Sequence, residues 1–212
     1  MDIDGNIYTT VTIGMQTWMV ENLKTTRFND GTAIPLVADS ATWASLSTPA
    51  YCWYDNNSAT YKNSSYGAMY NWYSINTGKL APAGWHVPTE GEWDTLQTYL
   101  ITNGYNYDGT TTGNKIAKAL AAKIDWAASP NNGSIGYDLS INNKSGFTAL
   151  PSGYRYNDGA FWDIGNYGIW WSTSETPGVF TYPLSLYYFN INMGKYGGDK
   201  GSGYSVRLIR DK

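Results

Sequence analysis

GWHVPTEGEWDTL, residues 84–96, decides how the chain is read. It holds the only histidine, His86, between Trp85 and Trp93 and close to Glu90, Glu92 and Asp94. Such a cluster is either a reactive centre or the start of a helix. Thr89 followed three residues on by Glu92 fits a capping box. In that motif the hydroxyl takes an orphan backbone N–H and the glutamate reaches back to the N–H of the cap. Glu90 and Glu92 lie where a helix dipole favours negative charge. Trp93, Leu96 and Leu100 then recur at i, i+3 and i+7, and Gly104 is a natural stop. A metal cluster or a catalytic histidine needs partners, and there is no second histidine to supply one. His86 is therefore read as a buried or semi-buried architectural residue.

The composition supports a loop-rich chain. Of 212 residues, 15% are charged and 16% aromatic, with 19 Tyr, 10 Trp and 23 Gly. Tyr and Trp offer large contact area at low entropic cost, a palette shared with binding surfaces. A net charge of −3 without a basic stripe argues against nucleic-acid binding. No apolar run approaches the roughly 20 residues of a spanning helix. No signal peptide is visible at Met1–Asp2, and Cys52, the single cysteine, has no intramolecular disulfide partner.

Along the chain, Ile7, Thr9, Val11 and Ile13 alternate with Tyr8, Thr10 and Thr12. This predicts a strand over 7–13, followed after Gly14 by a second over 16–20. Residues 25–66 read as loops with a helical turn near 41–46. Met69, Trp72 and Tyr73 suggest a short helix within 66–75. Ile116, Leu120 and Ile124 predict a second main helix over about 114–124. Short strands and turns follow to the end. The class is α+β, in one domain over 1–212.

Six blocks occur in order: DGNIYTTVTIGMQTWMVENLK (4–24), YGAMYNW (66–72), APAGWHVPTEGEWDTL (81–96), GFTALPSGYRYNDGAF (146–161), WWSTSE (170–175) and GYSVRLIRD (203–211). Together they resemble the Fibrobacter succinogenes major paralogous domain over nearly the whole chain. That family is similar in turn to formylglycine-generating-enzyme and sulfatase-modifying domains. The resemblance implies a C-type-lectin-like fold: a twisted antiparallel sheet, two main helices and extensive loops. The variable proteins of diversity-generating retroelements share that fold and often end in a similar block.

The chemistry of those relatives does not carry over residue by residue. Formylglycine-generating enzymes use a cysteine pair and the related sulfoxide synthases a histidine triad, where this chain has Cys52 and His86 alone. The sugar-binding calcium site of true C-type lectins needs triplets that Glu175-Thr176-Pro177 and Tyr156-Asn157-Asp158 do not match. Asp2-Ile3-Asp4-Gly5-Asn6 lacks the closing acid of a calcium loop and is read as a turn. Ser152 and Ser172 lie outside any nucleophile elbow. No catalytic residue and no cofactor are assigned; a structural calcium held by loop carbonyls is left open.

Binding is expected on segments 154–167 and 179–203, which lie between the framework residues Trp170, Trp171, Ser172, Glu175, Val206 and Arg207. The candidate residues in the first segment are Tyr154, Tyr156, Asn157, Asp158, Phe161, Asp163, Asn166 and Tyr167. In the second they are Phe180, Tyr182, Tyr188, Asn190, Asn192, Tyr196 and Asp199. Tyr154, Tyr156, Phe161, Tyr182 and Tyr196 are expected to be exposed. Leu184, Leu186 and Tyr188 read first as core. Arg207 is expected to bury its guanidinium against carbonyls or a carboxylate, with Glu175 as a candidate partner. The functional expectation is a non-enzymatic ligand-binding module at the cell surface or outside the cell, recognising a protein or glycan, in the manner of a retroelement-diversified protein. The alternatives are an enzyme with relocated chemistry and a structural surface domain.

Overall fold

The computed structural model describes residues 1–175, 180–195 and 197–211. In chain order it forms β1 (Thr10–Ile13), β2 (Gln16–Met19), α1 (Ser40–Ala44), β3 (Tyr51–Cys52), α2 (Ser58–Tyr61), β4 (Met69–Tyr70) and α3 (Trp72–Ile75). Next come β5 (Trp85–His86), α4 (Glu90–Thr102), α5 (Ala117–Leu120), β6 (Ser152–Arg155), β7 (Phe161–Ile164) and β8 (Tyr167–Trp170). The last elements are β9 (Phe180–Thr181), β10 (Leu184–Tyr187), β11 (Gly194–Lys195), β12 (Gly198–Asp199) and β13 (Ile209–Arg210). The class is α+β, with mostly antiparallel sheets. No helix among the described residues is long and apolar enough to cross a membrane.

One sheet, in the order β1-β2-β13-β5, joins the two ends of the chain. Trp18 pairs with Val11 on one side and Ile209 on the other, and Ile209 also pairs with His86. Helix α4 packs on this sheet because its apolar stripe meets it there. Trp93 stacks on Trp18 at 4.6 Å, Phe147 meets Trp18 edge-on at 5.7 Å, and Leu96 and Leu100 are fully buried. The capping box is complete: Glu92 N–H donates to Thr89 Oγ1, and Thr89 N–H to Glu92 Oε2. Asn103 ends the helix, ahead of Gly104 at φ 72°.

Three expectations change. The first ladder begins only at Thr10: Ile7 is exposed and Tyr8 buried, because the Tyr8 hydroxyl is drawn in to donate to Asp2 Oδ2 at 2.6 Å. In 66–75 the helix is confined to α3, capped by Asn71, since Met69 and Tyr70 pair with Cys52 and Tyr51. The second main helix shortens to the four residues of α5, and Ile124 is exposed. Ala121 turns extended so that Ala122 N–H can donate to Ala149 O, while Ala149 N–H donates to Leu120 O. A local apolar period loses here to non-local backbone pairing.

The second sheet runs β11-β10-β8-β6-β7, antiparallel except where β6 meets β8 at Gly153 and Gly168. Its alternation is set by burial. Trp170, Leu184 and Leu186 are fully buried opposite Gly168, where a Cβ would lie 2.3 Å from the Trp170 ring. Tyr167 and Tyr187 lie on the other face. Trp170 and Trp171 are core, as the sequence implied. Arg207 is fully buried, but Glu175 is not its partner, since that carboxylate takes Lys200 Nζ at 2.6 Å. Arg207 instead donates to Asn22 Oδ1, Phe147 O and Met19 O.

Candidate binding face

The face is built on a kink in the β6–β7 hairpin. Ser152 opposes Ile164 and Tyr154 opposes Trp162, which sets Gly153 across from Asp163. Both are left-handed, at φ 62° and 61°. At Gly153 only glycine fits, because a Cβ would lie 2.5 Å from Trp162 O and 2.8 Å from Ile164 N. Asp163 adopts the same conformation with a side chain, at a cost of about 1 kcal/mol or more. Its carbonyl accepts from Asn166 N–H, which closes the turn into β8.

Around this kink lie aromatic rings. Tyr167 and Tyr187, register partners on β8 and β10, stack at 4.1 Å with 20° between their planes. Tyr187 also meets Tyr188 at 4.8 Å and Phe189 at 5.1 Å, both edge-on. The Asp163 carboxylate and Tyr167 lie close enough to the Tyr154 hydroxyl to act on it electrostatically. Burial first, then the Asp163 carboxylate, pushes the Tyr154 phenol up to about 12. Burial and the neighbouring Tyr188 hydroxyl also raise Tyr187. These phenols therefore stay neutral donors at physiological pH. Trp162 and Phe189 are 52% and 44% exposed, so the strip has open apolar surface beside a carboxylate. Its chemistry is stacking plus hydrogen bonding, without a nucleophile–base pair.

The predicted residues divide. Tyr154, Asp163 and Tyr167 meet on this face, with Tyr188 at its edge and half-buried against the core. Asn166 closes the turn, and its carbonyl accepts from Tyr188 N–H. Asn157 and Asp199 form a separate pair at 2.9 Å, beside the 156–160 turn where Tyr156 and Asp158 are exposed. Phe161 is framework: half-buried, it packs on Tyr54 and covers the Arg155 guanidinium at 4.8 Å. Tyr182, Asn190 and Asn192 are half-buried. Of the four described aromatics among those expected to be exposed, Tyr156 is exposed at 45%, while Tyr154, Phe161 and Tyr182 are half-buried. Tyr196 and the side chain of Phe180 lie outside the described residues.

The candidate residues omitted Trp162, Tyr187 and Phe189, though all three lie within the two segments where binding was expected. The alternation Leu184, Leu186 already assigned the opposite face to 185 and 187, so Tyr187 was legible in the period of the strand. Tyr54, Tyr61 and Tyr66 continue the aromatics from Phe161, with ring centroids at 5.4, 5.8 and 5.6 Å. They come from a segment with no periodicity, and nothing local placed them there.

Elsewhere, reactive groups are tied down. His86 bridges Asp211 Oδ1 at 2.6 Å and Glu92 Oε1 at 2.9 Å, fastening the C-terminal segment to the start of α4. These two acids are partners that the sequence reading left unassigned. Burial pushes the Cys52 thiol up to about 12, which disfavours the reactive thiolate. The 2–6 segment is a turn, and the Asp2 carboxylate accepts from Asp4 N, Asn6 N, Asn6 Nδ2 and the Tyr8 hydroxyl. Among the described residues, no three His, Cys, Asp or Glu gather to hold a metal ion.

The six sequence blocks converge in this structure. Asn22, Gly67, Phe147, Trp170 and Arg207, from five of them, form one contact network. The profile of the Fibrobacter succinogenes major domain matches residues 11–210. The chain belongs to that family. No curated protein and no solved structure matches it. Within this Fibrobacter succinogenes major domain, the blocks account for the frame, and the aromatic face lies largely on the strands between the fourth and fifth blocks and on β10.

Proposed function

We propose that the chain is a non-enzymatic, exported ligand-binding module that recognises a protein or glycan at a cell surface through the Tyr154–Asp163–Tyr167–Tyr187 face. One observation carries the reading: a left-handed, strained Asp163 held beside a ring of partly exposed aromatics. Strain kept at one polar residue in a strand marks a site where geometry matters more than local stability. Neutral phenols and a carboxylate suit hydroxyl-rich or amide-rich ligands, while Trp162 and Phe189 supply stacking area.

The fold assigned with this reading is C-type-lectin-like. Supporting it are the sheet that joins both chain ends, the long helix packed on it, and a second half dominated by loops and short strands. Variation of the face by a retroelement belongs to the same proposal, since the face sits on a frame fixed elsewhere.

The test is a binding screen against a glycan array and an envelope-protein extract, comparing the native chain with a Trp162→Ala/Tyr187→Ala/Phe189→Ala variant. Circular dichroism establishes that the variant is folded. Binding lost in the folded variant supports the face, whichever ligand class responds. Binding retained, or absent from both chains, rejects it.

A further inference from the structure

A second surface, formed by residues 4–6, 24–27 and 62–63, carries a different chemistry. Asn6, Lys24, Thr26, Arg27, Lys62 and Asn63, with Asp4, line a polar groove of about 360 Å³. Three cations face one carboxylate there, in a chain whose net charge is −3. Arg27 Nε pairs with Asp4 Oδ1 at 3.1 Å, but the guanidinium is half-exposed and keeps donors for a ligand. Lys24 and Lys62 have no ion-pair partner among the described residues. Like charges collected on one groove repel each other and raise the local potential, an arrangement that an anion relieves.

One wall is held firmly. The Asp2 carboxylate accepts four hydrogen bonds that fix the 2–6 turn, and the Asp4 carboxylate accepts from the backbone and hydroxyl of Thr26 and from the Thr25 hydroxyl. The turn is thereby stapled to the 24–27 segment that carries Lys24 and Arg27. The other wall, Lys62 and Asn63, follows directly on α2. The lining also holds the neutral amides of Asn6 and Asn63 and the Thr26 hydroxyl. Among the described residues no aromatic ring lines the groove, so it lacks the stacking platform of single-stranded nucleic-acid sites. Cations together with amide and hydroxyl groups match a ligand that carries both carboxylates and hydroxyls.

From this we infer that the groove between the 4–6 turn, residues 24–27 and residues 62–63 is a binding site for an acidic saccharide, a sugar chain bearing carboxylates. Lys24, Lys62 and Arg27 take the carboxylates; Asn6, Asn63 and Thr26 take the hydroxyls. The site is independent of the aromatic face and stands or falls separately.

The experiment titrates the full chain at low salt with an oligogalacturonate of three sugars and with its methyl ester, followed by calorimetry. The expected result is binding of the acid at least about tenfold tighter than the ester, and weakening as salt is raised. Lys24→Gln/Lys62→Gln is expected to lose about tenfold or more in affinity, and Lys62→Glu alone to lose at least as much. Trp162→Ala/Tyr187→Ala is expected to bind the acid unchanged. Equal affinity for acid and ester, affinity untouched by the lysine changes, or no heat of binding would overturn the assignment.

Discussion

Asn22 Oδ1 accepts from both Nε and Nη2 of Arg207, at 3.1 and 2.8 Å, across 185 positions of chain. The same oxygen accepts Trp170 Nε1 at 2.8 Å. Among the described residues no carboxylate forms an ion pair with this guanidinium, and Glu21 acts on it electrostatically. Burial pulls it down to about 9, which still leaves it charged at neutral pH. A buried charge held by carbonyl oxygens is costly to orphan. Asn22→Ala is therefore expected to lose about 3–5 kcal/mol of stability, read as a lowered urea midpoint. A change below about 1 kcal/mol would mean that the Phe147 and Met19 carbonyls suffice.

The capping box makes a smaller claim. Thr89→Ala removes the acceptor for Glu92 N–H and is expected to cost about 1 kcal/mol, whereas Thr89→Gly costs only a few tenths. Urea denaturation of both variants checks the order. Equal losses would show that the hydroxyl matters little beside the packing of Trp93.

His86 should make stability depend on pH. Burial lowers its pKa, but hydrogen bonds to Asp211 and Glu92, and their charges, outweigh this and hold it above its usual value. The stabilisation is thus fully present below about 6.5, where the free imidazole is protonated, and is lost as pH rises through the folded value. Burial raises Glu92, but Thr89 and His86 outweigh it and hold that acid low, so its own contribution fades only as pH falls through its lowered value. The gap between the native chain and His86→Gln should be largest near pH 6, about 1 kcal/mol or less given solvent exposure, and should shrink towards pH 9. A gap that grows with pH would contradict the clamp.

Asp163 should separate stability from binding. Asp163→Gly releases the left-handed strain and is expected to leave the protein as stable or up to about 1 kcal/mol more so. Asp163→Ala, which loses the polar side chain but keeps the Cβ, should be less stable than Asp163→Gly by about 1 kcal/mol. Both should bind ligand more weakly than the native chain. Thermal unfolding and the binding screen read the two effects independently.

Helix α4 was legible because every cue was local: Thr89, Glu92, the Trp93–Leu96–Leu100 stripe and Gly104 all lie within 16 residues of one another, and all agree. The N-terminal hairpin was legible except at Tyr8, whose side is set by a bond to Asp2 rather than by alternation. The 114–124 segment misled because its apolar spacing was real, but Ala121 and Ala122 are claimed by Ala149, a partner 27 or more positions away. The candidate face was half-legible for the same reason. Aromatic richness marked the region, yet which ring points outward is decided by the register of β6, β7, β8 and β10. Phe161 and Tyr187 exchange the roles that composition alone would give them.

The most direct test of the central claim is the binding screen on the folded Trp162→Ala/Tyr187→Ala/Phe189→Ala variant beside the native chain. The account predicts that at least one glycan or envelope protein retained by the native chain is lost by the variant, with an affinity drop of about tenfold or more. Retention of every ligand by the folded variant would contradict recognition through this face.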